Sequence, residues 1–120
     1  DFDQDGDVDF LVTSNNGPVQ LLCNELPAAA KGRWLLVRLR GRGGNTHAIG
    51  AEVSLRCGGR LLRRSLRAGT SYLAGNPPEL SFGLGGAAAV DELVVRWPSG
   101  RTSSHGVPGL DRVVTLSEPE

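Results

Sequence analysis

The chain has no methionine, one tyrosine, one lysine, two histidines and two cysteines in 120 residues. No apolar run exceeds four residues, far below the roughly 20 that cross a bilayer as a helix, so a membrane-spanning helix is excluded. The 17 glycines have no three-residue period, which excludes collagen. Cys23 and Cys57 are too few for a disulfide scaffold or a cysteine-held metal site, and whether they pair is left open. The 3.6-residue period of amphipathic helices is almost absent. At 39% apolar and 22% charged residues the composition is that of a folded domain.

The net charge of zero conceals three blocks. Residues 1–30 carry six acids and no base, residues 31–67 carry ten bases and one acid, and residues 68–120 carry six acids and three bases. Arginine outnumbers lysine twelve to one, which fits bidentate anion binding but more simply a coding bias. The arginines of the middle block alternate with apolar residues and lack interleaved aromatics. That pattern predicts a solvated sheet face and no nucleic-acid partner.

Period-two alternation is frequent. It predicts strands at Trp34–Arg40, Ala51–Cys57, Leu93–Trp97 and Arg112–Leu116. Gly58-Gly59 predicts a hairpin from Cys57 into Arg60–Arg67, and Asn15–Pro18 predicts another between Phe10–Thr13 and Val19–Cys23. Pro98-Ser99-Gly100 turns the chain back towards Arg101–Ser104. The expected fold is all-β, an antiparallel sandwich-like domain of seven or eight strands over about 33–118. Residues 27–32 read as a linker, and residues 1–26 as a two-stranded unit too small for a core of its own. The chain opens inside a motif without an initiating methionine, and we read it as part of a longer protein.

That motif is Asp1-Phe2-Asp3-Gln4-Asp5-Gly6-Asp7-Val8-Asp9. Side-chain carboxylates of Asp1, Asp3, Asp5 and Asp9 converge if the chain makes a tight loop at Gly6, with Asp7 contributing its backbone carbonyl. An oxygen-only donor set of high negative charge suits Ca²⁺ better than Mg²⁺. Unlike an EF-hand, position 12 is Val12 and a strand follows.

Asp1–Asp9 with Phe10-Leu11-Val12-Thr13 resembles the calcium loop and strand of an FG-GAP (VCBS-type) repeat. The resemblance implies that residues 1–26 close the last blade of a β-propeller, with further blades upstream as partners. The rest resembles the ASPIC and UnbV domain of the cartilage acidic protein-like family. Asn45–Val53, Arg67–Leu73, Leu80–Gly85 and Val90–Gly100 carry this likeness, the last ending in Arg-Trp-Pro-Ser-Gly. Ala74–Pro78 departs from it, being less polar than is usual there. The resemblance implies a secreted or surface protein and a non-enzymatic interaction or adhesion module with no catalytic residues.

Arg67, Thr70, Ser71 and Tyr72 are the best polar recognition candidates outside the acidic loop. With the loop at 74–79 they define an alternative, a carbohydrate-binding module. A further alternative is an accessory domain of a larger enzyme. No catalytic machinery is legible: Gly-x-Ser-x-Gly is absent, His47 and His105 read as isolated loop residues, and nothing orients Ser104, His105 and Asp111 as a triad. Trp97 reads as a core aromatic. Trp34 either packs on the preceding unit or joins its own core.

Overall fold

The computed structural model describes the chain except residues 4, 28, 73 and 108 and the side chain of Ala74. Gln4 of the acidic loop, Ala28 of the linker and Leu73 of the Arg67–Leu73 motif therefore lie outside the described residues. Among the described residues there are eleven strands and no helix. They are β1 (Phe10–Val12), β2 (Gln20–Leu22), β3 (Arg33–Arg40), β4 (Glu52–Cys57), β5 (Arg60–Ser65), β6 (Gly69–Ser71), β7 (Ala74–Gly75), β8 (Glu79–Gly85), β9 (Glu92–Arg96), β10 (Thr102–His105) and β11 (Arg112–Ser117).

Seven of them form the sandwich. One sheet has the order β10-β9-β4-β5 and the other β11-β3-β8. Each contributes its alternate residues to a shared core. Leu35, Val37 and Leu39 of β3 and Leu80, Phe82 and Leu84 of β8 face Val53, Leu55 and Cys57 of β4 and Leu93 and Val95 of β9. Between these inward residues, Arg38, Arg40 and Arg56 are exposed, as the alternation required. Trp97 follows β9 and is 2% exposed, so it is a core residue.

The turns have direct local causes. Gly58 and Gly59 both take positive φ (51° and 75°), which a two-residue turn between β4 and β5 needs and side chains resist. After β9, the Trp97 amide donates to the Arg101 carbonyl (2.8 Å) and the Gly100 amide to the Trp97 carbonyl (2.9 Å), closing the Pro-Ser-Gly turn. Asn45 brackets the loop before β4. Its side chain donates to the Ile49 carbonyl and accepts from the Ile49 amide, both at 2.9 Å, and this seats Ala48 in the core.

One expectation is corrected. The sandwich is not wholly antiparallel, because β11 runs parallel to β3 over Arg112–Ser117 and Leu35–Arg40. A parallel pair needs a long crossover, and the whole second sheet lies between these two strands in sequence. Asp111 fixes the start of the pairing. Its amide donates to the Trp34 carbonyl (2.8 Å), its carboxylate accepts from the Trp34 amide (3.0 Å), and its other oxygen meets Arg33 Nε at 2.6 Å. His105 is also corrected: it is half-buried on β10, not in a loop.

β1 and β2 pair as an isolated antiparallel ribbon with every residue exposed. Phe2, Phe10, Leu11, Val19 and Leu22 are all more than half exposed. Outside this unit, few large apolar side chains are.

Phe82 is 1% exposed at the centre of the seam. Phe82→Ala should cost about 3–5 kcal/mol by leaving a cavity. Urea unfolding of the variant beside the parent should show the midpoint fall with the slope unchanged.

Candidate functional site

The acidic loop is organised by its own backbone. The Asp5 amide donates to Asp3 Oδ1 (3.3 Å), the Asp7 amide to Asp5 Oδ1 (3.0 Å) and the Gly6 amide to Asp1 Oδ2 (3.3 Å). These are the local side-chain-to-backbone bonds that aspartates make in turns. Asp9, only 4% exposed at its side chain, ties the loop to the ribbon. One oxygen accepts from the Asn24 amide at 2.8 Å and the other from the Phe2 amide. Those amide donors hold the Asp9 carboxyl below its ordinary range.

The five predicted ligands divide into two groups. Asp1, Asp3 and Asp9 each offer an oxygen within 4.8 Å of the others. Asp5 and Asp7 instead meet the ammonium of Lys31, the chain's one lysine. The hydrogen bond from Lys31 holds the Asp5 carboxyl below its ordinary range, and the same bond raises the Lys31 ammonium. Lys31 Nζ lies 3.1 Å from Asp7 Oδ2, yet that buried oxygen has no aligned hydrogen bond. It is a charge contact with acceptor capacity left over. The linker assignment had missed this role of Lys31. Its legible signal was a lone lysine in an arginine-rich chain, next in charge to an acidic head.

Cys23 lies beside the loop. Desolvation, then the charges of Asp9 and Asp3, push its thiol above its ordinary range, so it stays protonated at neutral pH. Cys57 is buried in the core, and the two cysteines are not bonded to each other.

Gly6 takes φ +94° and packs on the half-buried indole of Trp34, where a Cβ would overlap the ring. Trp34 is thus the joint between the loop and the sandwich. Beside it opens a cleft of about 700 Å³, walled by Gly6 and Val8, by Arg63–Arg67 of β5 and beyond, and by Glu79, Leu80, Ser81 and Gly83 of β8. Of the four predicted recognition residues, Arg67 and Thr70 line this cleft, together with Asn76 and Pro77. Ser71 and Tyr72 do not. Tyr72 sits between β6 and β7 and is 89% exposed. Thr70 accepts a hydrogen bond from the Asn76 amide group. Arg64 reaches across from β5 and places its guanidinium carbon 5.8 Å from the centroid of the Phe82 ring, a cation–π contact. The roles of Arg63 and Arg64 were not read from sequence, since a charge on a sheet edge looks like any solvated charge there, whereas Asn76 falls in the loop at 74–79 already named as a candidate.

Nucleophilic chemistry has no support from the serines near His105. Trp97 Nε1 donates to Ser103 Oγ (2.7 Å), and that hydroxyl lies 2.7 Å from His105 Nε2. The hydroxyl thus accepts from the indole and shares a hydrogen bond with the imidazole. Asp111 is engaged with Arg33 and Trp34 and, among the described residues, makes no hydrogen bond to His105.

The model of the family described as ASPIC and UnbV matches residues 41–120. The chain belongs to the ASPIC and UnbV family. No curated protein matches it. The match begins at residue 41, whereas β3 ends at Arg40. Yet β3 is the central strand of its sheet, flanked by β11 and β8, which both lie within the matched residues. In this ASPIC and UnbV chain the folded unit therefore includes residues ahead of the matched segment. Residues 1–26, with the acidic loop, lie outside the match.

Gly6→Ala should loosen the loop from Trp34. In an NMR spectrum, the Trp34 indole N–H should shift, while the Trp97 indole N–H, bonded to Ser103, should keep its position. Movement of both signals would mean that the substitution disturbs the whole sandwich.

Proposed function

We propose that this chain is a non-enzymatic, calcium-binding interaction or adhesion module of a secreted or surface protein. In this reading residues 1–26 close an FG-GAP-type propeller repeat, and the ion keeps the loop in shape. The observation that carries it is the convergence of the Asp1, Asp3 and Asp9 carboxylates. The donors fit a hard cation: all are oxygens, several are charged, and backbone bonds have already folded the loop around them. Ca²⁺ would supply charge neutralisation and crosslinking, with no chemical step. The exposed apolar side chains of the β1–β2 ribbon support packing against further strands of the same protein, because a ribbon of two strands is marginal alone.

The alternative of a carbohydrate-binding module draws on the same cleft through Arg67 and Thr70. It is the weaker reading, since the exposed ring of Tyr72 lies outside the cleft and one face of Trp34 is covered by Gly6.

Calorimetric titration with Ca²⁺ tests the proposal. The expected dissociation constant is on the order of 10⁻⁴–10⁻³ M, as in extracellular modules. Asp3→Asn should weaken it about tenfold by removing one ligand charge, and Ca²⁺ should raise the melting temperature. Absence of heat up to ~10 mM, well above that range, would remove the ion from the account. Lys31→Gln separates the two ligand sets. It should tighten calcium binding if Asp5 and Asp7 coordinate, because ion and ammonium then compete, and leave it unchanged if only Asp1, Asp3 and Asp9 do.

A further inference from the structure

The cleft beside Trp34 lies between two sheet edges. β5 ends one sheet and β8 ends the other. Among the described residues, Arg60–Ser65 make backbone hydrogen bonds only to β4, and Leu80–Gly83 only to β3. The outer N–H and C=O groups of both strands are thus free of backbone partners. Proteins usually guard such an edge with a charge, a proline or a bulge. Along the cleft, β8 presents Ser81 and Gly83, and a Cβ on Gly83 would meet nothing within 4 Å. Its one charge there, Glu79, is paired with Arg38 at 2.8 Å.

The opposite wall is strongly basic. Arg63, Arg64 and Arg67 line it, and none of them forms an ion pair among the described residues. The cleft therefore joins a free strand edge, whose one register shift lies at its Gly83–Gly85 end, to three guanidinium groups without an ion pair, one of them lying over the Phe82 ring. Strand addition obtains its affinity from main-chain hydrogen bonds and its selectivity from side chains on either face. Charge complementarity then specifies the incoming strand.

We propose that the cleft takes an extended, acidic segment of a partner protein, which adds to the free edge of β8 while its carboxylates meet Arg63, Arg64 and Arg67. This rests on the interaction-module reading and names its partner class. An anionic polysaccharide would use the same charges but would leave the β8 edge unpaired.

The test uses the whole 120-residue chain, at low salt with EDTA present, so that it is independent of calcium. The probe is a fluorescein-labelled peptide of alternating glutamate and valine, followed by anisotropy. Saturable binding is expected. N-methylation of every second peptide amide, which keeps the charges and removes the ladder donors, should weaken it at least about tenfold. Arg63→Gln and Arg67→Gln should each weaken it about tenfold. Both side chains are exposed, so the circular dichroism and melting temperature of these variants should match the parent. Equal binding of the N-methylated peptide would overturn strand addition. Binding of oligogalacturonate in place of the peptide would make the cleft a saccharide site and overturn the proposal, and so would binding of neither. The calcium reading stands or falls on its own titration.

Discussion

The seam between the two sheets carries the rest of the structure. Leu35, Val37, Val53, Leu55, Leu93 and Val95 are wholly buried there, and each sits one residue from a side chain that must stay wet or half-wet. A one-residue slip of β3 would bury Arg38 and expose Val37, so the alternation pins the register of every strand that touches it. The same seam sets where the chain turns. Asn45 brackets a loop so that Ala48 closes one end, and Trp97 caps β9 while handing its N–H to Ser103. Leaving that indole donor unpaired in the core would carry a penalty of about 1–3 kcal/mol. Much of what makes the ASPIC and UnbV motifs distinctive is thus accounted for by folding: bracketing, capping and turning.

The acidic loop obeys different physics. It has no core, and its shape comes from amide donors and from charge. The backbone donors around Asp9 stabilise an ionised carboxylate that would otherwise resist its neighbours. Lys31 compensates Asp5 and Asp7 from the far side of a turn, with the Ala30 amide donating to the Pro27 carbonyl at 2.7 Å. The Lys31 pairs are partly open to solvent and salt-sensitive, so they shape the loop more than they stabilise the domain. Mechanically, the loop joins the sandwich through Gly6 on Trp34.

Between these two systems lies the cleft, where a domain built on complementary faces leaves two edges open. β5 is the one long strand of its sheet with little buried: only Leu62 is half-covered, while Arg60, Leu61, Arg63 and Arg64 face solvent. Arg64 partly closes the opening by lying over Phe82. The charge along this edge is of one sign and has no ion-pair partner among the described residues.

The sequence by itself determined the all-β class, the strands of the sandwich core other than β8, their inward faces and the glycine turn at 58–59. These are local properties: alternation has a period readable in a few residues, and a positive φ selects glycine. It also made the acidic loop conspicuous, since five aspartates in nine residues need a charge partner. Only the tertiary structure decided that β11 lies parallel to β3, that Lys31 takes Asp5 and Asp7 while Asp1, Asp3 and Asp9 converge, that His105 reaches Ser103, and that Arg67 and Thr70 share a cleft which Ser71 and Tyr72 do not enter. The parallel pairing and the partners of Lys31 depend on residues far apart in the chain, whereas His105 meets Ser103 because a strand puts residues two apart on one face. A parallel pairing turns on which sheet edge is free after a long crossover, and a charge's partner on which turn delivers it. Neither leaves a mark in the local pattern.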